Sequence, residues 1–390
     1  SDQYKIMRKP FLLFLILLWM MPQVRSQKPG TGTAVGFVTG AGRILRNYPA
    51  FPDRGPSLFA GLDLTYSTRG TSPWQYYFRY PDAGVMLWYG YQGNDAVLGR
   101  TLGLCPYLGF YLSPPGNRIQ YYLRAGLGFA WFTNPYDRIT NPENLLAGSH
   151  LSNITTLEFY LTTRLSSNWE WMGGAGFMHF SNGHTQLPNL GTNIPVVLTG
   201  MRYKPMPDRQ IPDTSGLHFP GEWMMNIETG MGWHEFGEST EPTGGAKYPV
   251  YSLGIYMSRH THPVHLWHAG VFVNYYTSFH EFIVSQEVYS TWQRIHASTV
   301  IAYFGHEFLA GHIGIDTRVG IYLWNPFRKT YSEEILRQPE PLKMINANKL
   351  GLVYYFFNPL HHNRNLFVGM HIKSHLGQAD FVEFSAGFRC

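Results

Sequence analysis

Two side chains two residues apart, His179 and Ser181, offer the clearest chemistry in this chain. A neutral imidazole takes the proton of a serine hydroxyl when nitrogen and oxygen come within hydrogen-bonding reach, and the activated oxygen attacks an ester carbonyl. In an extended strand residues i and i+2 share one face, about 6.5–7 Å apart, so the two side chains can meet by leaning. Asn182 and Asn189 follow closely. They offer amide donors for an oxyanion, or they pin the Gly- and Pro-containing loop. A His-x-Ser pair alone is common, and it also reads as a polar pair at a strand end.

The element that must position them is a strand. A period of two puts Trp169, Trp171, Phe177, His179 and Ser181 on one face. Glu170, Met172, Gly174, Gly176, Met178, Phe180 and Asn182 fall on the other. The face with two Trp and a Phe suits lipid, and a polar pair beside it is costly unless satisfied or used.

The same alternation runs through the chain. Ile119, Tyr121, Leu123, Ala125, Leu127, Phe129 and Trp131 oppose Gln120, Tyr122, Arg124, Gly126, Gly128 and Ala130. The apolar face covers about 40 Å at strand rise, enough to cross a bilayer when tilted. Leu157, Phe159 and Leu161 oppose Glu158, Tyr160 and Arg164. Val382, Phe384, Ala386 and Phe388 oppose Glu383, Ser385, Gly387 and Arg389, an amphipathic final strand of the kind used in barrel assembly.

Composition agrees. Only 14% of residues are charged, 16% are aromatic, and there are 41 glycines. Few charges with many aromatics and glycines suits a membrane barrel with aromatic girdles. A formal charge of +5 without a basic cluster or reader motif argues against a nucleic-acid partner and is compatible with an anionic lipid surface. Cys105 and Cys390 form no disulfide framework and read as two unpaired thiols. Arg8 and Lys9 precede an apolar run from Phe11 to Met21, too short to span a bilayer. With Val24, Arg25 and Ser26 this reads as a secretory signal, Met7 as the start, and Gln27 as the mature N-terminus.

The expected organisation is therefore residues 1–26 as upstream residues and signal peptide, and 27–204 as a barrel half carrying the His-x-Ser-Asn motif. A Pro-rich connection at 205–220 and a C-terminal β-strand half at 221–390 follow. About eight strands precede residue 205 and six to eight follow it. The fold class is all-β, an antiparallel transmembrane barrel. One barrel of about 14–16 strands is expected, because an even count puts both ends on one side and closure removes edges. Two eight-stranded barrels are the other arrangement.

The string His179-Phe180-Ser181-Asn182-Gly183, followed by Pro188-Asn189 with Gly191 and Asn193, resembles the signature of the PagL-like lipid A 3-O-deacylases of outer membranes. The resemblance extends less specifically over about residues 30–204. The whole chain is more similar to longer acyloxyacyl-hydrolase-type proteins of Bacteroidetes-like bacteria, on the segment from His371 to Arg389. The resemblance implies that Ser181 is the nucleophile, His179 the general base, and Asn182 and Asn189 the shapers of the oxyanion site or its loop. The family's orienting acid is a Glu twelve residues after the serine, and this chain has Asn193 there. Asn193 can accept a hydrogen bond from imidazole but stabilises imidazolium less. Asp380 is the other candidate acid, at a strand start where it could face outward. Glu158, Glu170 and Glu383 point to the lumen by parity.

The resemblance implies a carboxylic ester hydrolase that removes an ester-linked 3-hydroxyacyl chain from lipid A. Its partners would be lipopolysaccharide, outer-membrane lipid and, during biogenesis, the barrel-assembly machinery. No cofactor is expected. A non-enzymatic barrel (pore, structural or lipid-binding) and an outer-membrane phospholipase are the alternatives. His260, His262, His265 and His268 surround Pro263 and read as a solvated turn rather than a metal site. His371, Lys373 and His375 share one face and read as a polar lumen row, the other readings being a decayed motif copy or a lipid-phosphate contact. Gly173–Gly176 lacks the context of a phosphate loop, and no Gly-x-Ser-x-Gly elbow is present.

Overall fold

The computed structural model describes residues 32–68, 72–114, 117–204, 221–237, 243–337, 344–375 and 378–390. The signal segment (1–26) and the Pro-rich connection (205–220) lie outside the described residues. The first eight strands are β1 (Thr33–Gly42), β2 (Ser57–Ser67), β3 (Asp82–Tyr91), β4 (Arg100–Tyr111), β5 (Ile119–Phe132), β6 (Leu151–Arg164), β7 (Trp169–Ser181) and β8 (Thr192–Tyr203). The next eight are β9 (Trp223–Glu235), β10 (Lys247–His262), β11 (His265–Tyr276), β12 (Ser298–Ala310), β13 (Ile313–Trp324), β14 (Asn346–Tyr355), β15 (Asn365–His375) and β16 (Gln378–Arg389).

These strands close into two barrels, not one. β1 pairs antiparallel with β8, with Gly36 opposite Arg202, which completes the first. β9 pairs antiparallel with β16, with Gly230 opposite Ser385, which completes the second. The expectation of a single barrel of 14–16 strands is therefore corrected to the two-barrel arrangement. The physical reason is closure: eight strands suffice to wrap a lumen that side chains can fill.

Facing follows the period of two as read. On β5, Tyr121 and Trp131 are exposed while Tyr122 and Arg124 are buried. On β7, Trp169, Trp171 and Phe177 are exposed, and Met172, Met178 and Phe180 are buried. The 14 residues of β5 extend about 46 Å at strand rise, ample to cross a bilayer of about 30 Å when tilted. Among the described residues no helix is long and apolar enough to cross a membrane.

Both lumens are filled by paired charges and aromatics. In the first, Asp63 accepts from Arg202 at 3.1 Å and Arg124 at 3.3 Å, and Arg124 also pairs with Glu158. In the second, Arg318 bridges Asp316 at 2.7 Å and Glu228 at 2.9 Å, and Lys349 meets Glu383 at 2.7 Å. Carboxylates and cations without water must be paired in this way. The helices Thr277–Ser285 and Pro326–Thr330 cover one rim of the second barrel, where Phe236, Phe279, Phe282 and Phe327 pack together.

Candidate active site

The end of β7 and the start of β8 build the site. Their register sets His179 directly opposite Asn193, so both side chains leave the same face. His179 Nδ1 lies 2.8 Å from Asn193 Oδ1. That contact makes Nδ1 the protonated nitrogen and leaves the lone pair on Nε2, the tautomer a general base needs. The position that the resemblance assigns to an orienting Glu thus holds a neutral acceptor within hydrogen-bonding distance.

Ser181 ends β7 and is nearly covered. Its Oγ accepts from the Gly183 amide at 3.1 Å and from Asn189 Nδ2 at 3.3 Å. His179 and Ser181 make no direct hydrogen bond. They flank Gly191, where a Cβ would come 3.3 Å from His179 Cε1 and 3.7 Å from Ser181 Cβ. Gly191 also has φ of +69°, so both its conformation and its space favour glycine.

The loop between them is held from several sides. Asn189 Oδ1 accepts from the Asn182 amide at 3.0 Å. Asn182 Nδ2 donates to Gln186 O at 2.6 Å and to Ser149 Oγ at 3.2 Å, which ties the loop down rather than aiming at a substrate. Asn189 therefore reaches Ser181, and Asn182 shapes the loop. The Leu190 and Gly191 amides donate to Leu145 O and Leu146 O, both at 3.1 Å. The Leu187–Pro188 peptide is cis.

A further support comes from the second barrel. Glu235, the last residue of β9, accepts from the Leu187 amide at 2.7 Å, and its own amide donates to His184 O at 3.3 Å. Local sequence carried no signal for this contact, because Glu235 belongs to the other barrel.

The remaining candidates fall elsewhere. Asp380 does not face outward. It is buried at the rim of the second barrel, where Lys373 at 2.7 Å, Tyr276 at 2.7 Å and His375 at 3.2 Å surround one oxygen. Paired charges hold it inside, which removes it as a partner for His179. Glu158, Glu170 and Glu383 lie on the lumen side as expected: Glu158 and Glu383 are buried, and Glu170 lies 3.7 Å from Arg202. His371, Lys373 and His375 form a buried lumen row. The four histidines around Pro263 do not converge: His268 turns inward to Asp316 at 2.9 Å, while His265 meets His306 at 3.0 Å. Sequence reading missed a serine–histidine contact elsewhere, His234 Nε2 to Ser278 Oγ at 2.6 Å. Both residues are buried, and His234 Nδ1 is 4.0 Å from Asp380, too long for a hydrogen bond. Cys105 and Cys390 are both free.

Fold and facing together define an integral outer-membrane β-barrel protein. Residues 59–202, from β2 to β8 of the first barrel, match the sequence model of the family described as lipid A 3-O-deacylase (PagL), and over that stretch the chain is PagL-like. Among solved structures, the outer membrane enzyme PagL is 17% identical, with 44% of this chain and 99% of that one covered and a TM-score of 0.30. The β domain of the Bordetella autotransporter Brka is 11% identical, with 92% and 98% covered and a TM-score of 0.19. Acinetobacter baumannii OccAB4 is 12% identical, with 92% and 97% covered and a TM-score of 0.22. The fold itself is defined by the strand pairing. No curated protein matches the chain.

Proposed function

We propose that this protein is an outer-membrane serine esterase that removes an ester-linked 3-hydroxyacyl chain from lipid A. The observation that carries the reading is the opposition of His179 and Asn193 at 2.8 Å beside Ser181, on the lipid-facing wall of the barrel that matches the deacylase family. Ser181 is the nucleophile and His179 Nε2 the base that takes its proton. Asn193 orients the imidazole through Nδ1. The Gly183 amide and Asn189 Nδ2 already point at Ser181 Oγ, so an oxyanion formed on the carbon bonded to that oxygen falls within reach of both donors. A modest shift of the Ser181 side chain toward His179 completes the relay, as catalytic hydrogen bonds often tighten only with substrate bound.

Placement suits a lipid ester. An even strand count puts the chain ends of each barrel at the periplasmic rim. β7 then runs outward, and its final residues reach the outer leaflet, where lipid A resides. Trp131, Leu151 and Phe177 are exposed beside the site and offer an apolar wall to an acyl chain. Attack by Ser181 Oγ breaks the ester bond, and the departing lipid A oxygen takes the proton from His179. Water then gives His179 a proton as it attacks the acyl-enzyme, and His179 passes that proton to Ser181 as the free acid leaves. Export through the leader at residues 7–26 and insertion by the barrel-assembly machinery complete the proposal.

The test is fatty-acid release from purified lipid A by refolded protein, comparing wild type with Ser181→Ala and His179→Ala. Release of 3-hydroxy fatty acid by wild type alone supports the reading. Release from phospholipid but not lipid A converts it to a phospholipase. Folded wild type that cleaves neither substrate defeats it.

A further inference from the structure

Three acceptors converge in the lumen of the second barrel. Glu228 on β9, His371 on β15 and Glu383 on β16 each offer a ligand atom, and these atoms all lie within 4.8 Å of one another. All three residues are buried. Each is held from behind by one atom and leaves another without a hydrogen-bond partner. Glu228 Oε2 accepts from Arg318 at 2.9 Å and Tyr256 at 3.0 Å, while Oε1 has none. Glu383 Oε1 accepts from Lys349 at 2.7 Å, while Oε2 has none. His371 Nε2 lies 3.0 Å from Asp316 Oδ2, while Nδ1 has none.

The histidine decides what the cluster wants. Asp316 receives three donors: His268 at 2.9 Å, Arg318 at 2.7 Å and His371 at 3.0 Å. A carboxylate acceptor fixes the proton of neutral His371 on Nε2, so Nδ1 presents a lone pair. A carboxylate behind the far nitrogen is the support that metal-binding histidines characteristically have. Two carboxylate oxygens and an imidazole nitrogen then face one another, with no protein group donating a hydrogen bond to any of the three. Buried acceptors left in that state are expensive. Counting the immediate groups, Glu228, Asp316 and Glu383 carry three negative charges and Arg318 and Lys349 two positive ones. With the histidines neutral, as metal ligation requires of His371, a bound cation closes that balance. Glycine at 369 lets the His371 ring seat against the backbone, since a Cβ there would lie 2.8 Å from His371 Cε1 and 2.7 Å from Ser385 Oγ.

We propose that Glu228, His371 and Glu383 form a divalent-cation site inside the second barrel, with zinc as the best-suited ion. One imidazole with two carboxylates matches the N/O ligands zinc takes at about 2.0–2.2 Å. Calcium requires six to eight oxygens, and magnesium keeps most of its water. Donors around one tetrahedral zinc lie about 3.4 Å apart at those bond lengths, so the two glutamates swing inward on binding. The site ties β9, β15 and β16 together across the seam where β9 and β16 close the barrel. The ion enters as the chain folds, since the residues are buried afterwards. The site is separate from Ser181 and does not depend on the esterase reading.

The experiment refolds the full chain in detergent with zinc or with chelator, removes loose ions by gel filtration, and measures bound zinc by plasma mass spectrometry. About one zinc per wild-type chain is expected, with a higher melting temperature than for the chelator-folded protein. His371→Ala and Glu383→Gln, checked for folding by heat-modifiable gel migration, should lose that zinc. His265→Asn/His306→Asn removes the surface histidine pair and should keep it. Wild type folded with cobalt supplies a readout free of variants, as d–d absorption of a nitrogen- and oxygen-ligated ion. Folded wild type without zinc and without the cobalt spectrum overturns the proposal. Zinc that follows His265 and His306 instead of His371 also overturns it.

Discussion

Replacing Asn193 with Asp places a carboxylate where an amide oxygen now stands 2.8 Å from His179 Nδ1. The change is nearly isosteric, so the β7–β8 register that sets the two residues opposite one another is retained. It acts in two ways. A carboxylate cannot donate, so the imidazole is held in the tautomer with its lone pair on Nε2, whereas a rotated amide can also present its NH2 group to Nδ1. A carboxylate also stabilises the imidazolium that forms as Ser181 gives up its proton. Two unit charges about 4 Å apart gain about 4 kcal/mol at an effective dielectric of about 20. His179 is only half-buried on the outer wall, and water and salt screen the pair, leaving about 1–2 kcal/mol. Each 1.36 kcal/mol is a factor of about ten in rate, so Asn193→Asp should raise kcat/KM about five- to thirtyfold. The assay is release of 3-hydroxy fatty acid from lipid A in detergent micelles across a pH series. The acidic limb of the profile should move to higher pH, because the imidazolium is favoured. Asn193→Ala, which frees the ring, should be slower than wild type. If Asn193→Asp is no faster and its pH profile does not move, His179 is not a base oriented by residue 193.

Glu235 links the barrels through the Leu187 amide at 2.7 Å, so Glu235→Ala should speed hydrogen exchange across residues 183–191 and lower esterase activity several-fold. The barrel's gel migration should not change, and Glu235→Gln, which keeps an acceptor, should recover part of the loss. Arg124→Met takes the cation from buried Glu158 and leaves Asp63 with Arg202 alone, and should lower unfolding stability in urea by about 3–5 kcal/mol. Planar bilayers containing the protein should show no stable ion-conducting steps, because paired charges and aromatics such as Tyr122 and Tyr160 fill the first lumen, and Arg318, Lys349 and Tyr303 fill the second. Sustained conductance would favour a pore over the esterase.

Much of this molecule is written locally. Strand facing depends only on the pleat, so alternation alone assigns Trp169, Trp171 and Phe177 to the exposed wall and Glu158 and Glu383 to the lumen. The motif residues share a strand and its following turn, which is why His179, Ser181 and Asn189 group together from their spacing alone. Asp380 could not be placed the same way. It stands at a strand start, where parity is loose, and its burial follows from Lys373, Tyr276 and His375 converging from β15 and β11.

The sequence by itself determined an alternating, lipid-facing strand protein with a His-x-Ser pair at a strand end, because a period of two is a property of each strand alone. Tertiary structure decided the rest. One barrel or two is a choice between β8 pairing with β1 or with β9, and the local pattern is the same in both cases. The opposition of His179 and Asn193 is a matter of register between β7 and β8. The grip of Glu235 on the loop, and the meeting of Glu228, His371 and Glu383, come from strands far apart in the chain that only closure brings together.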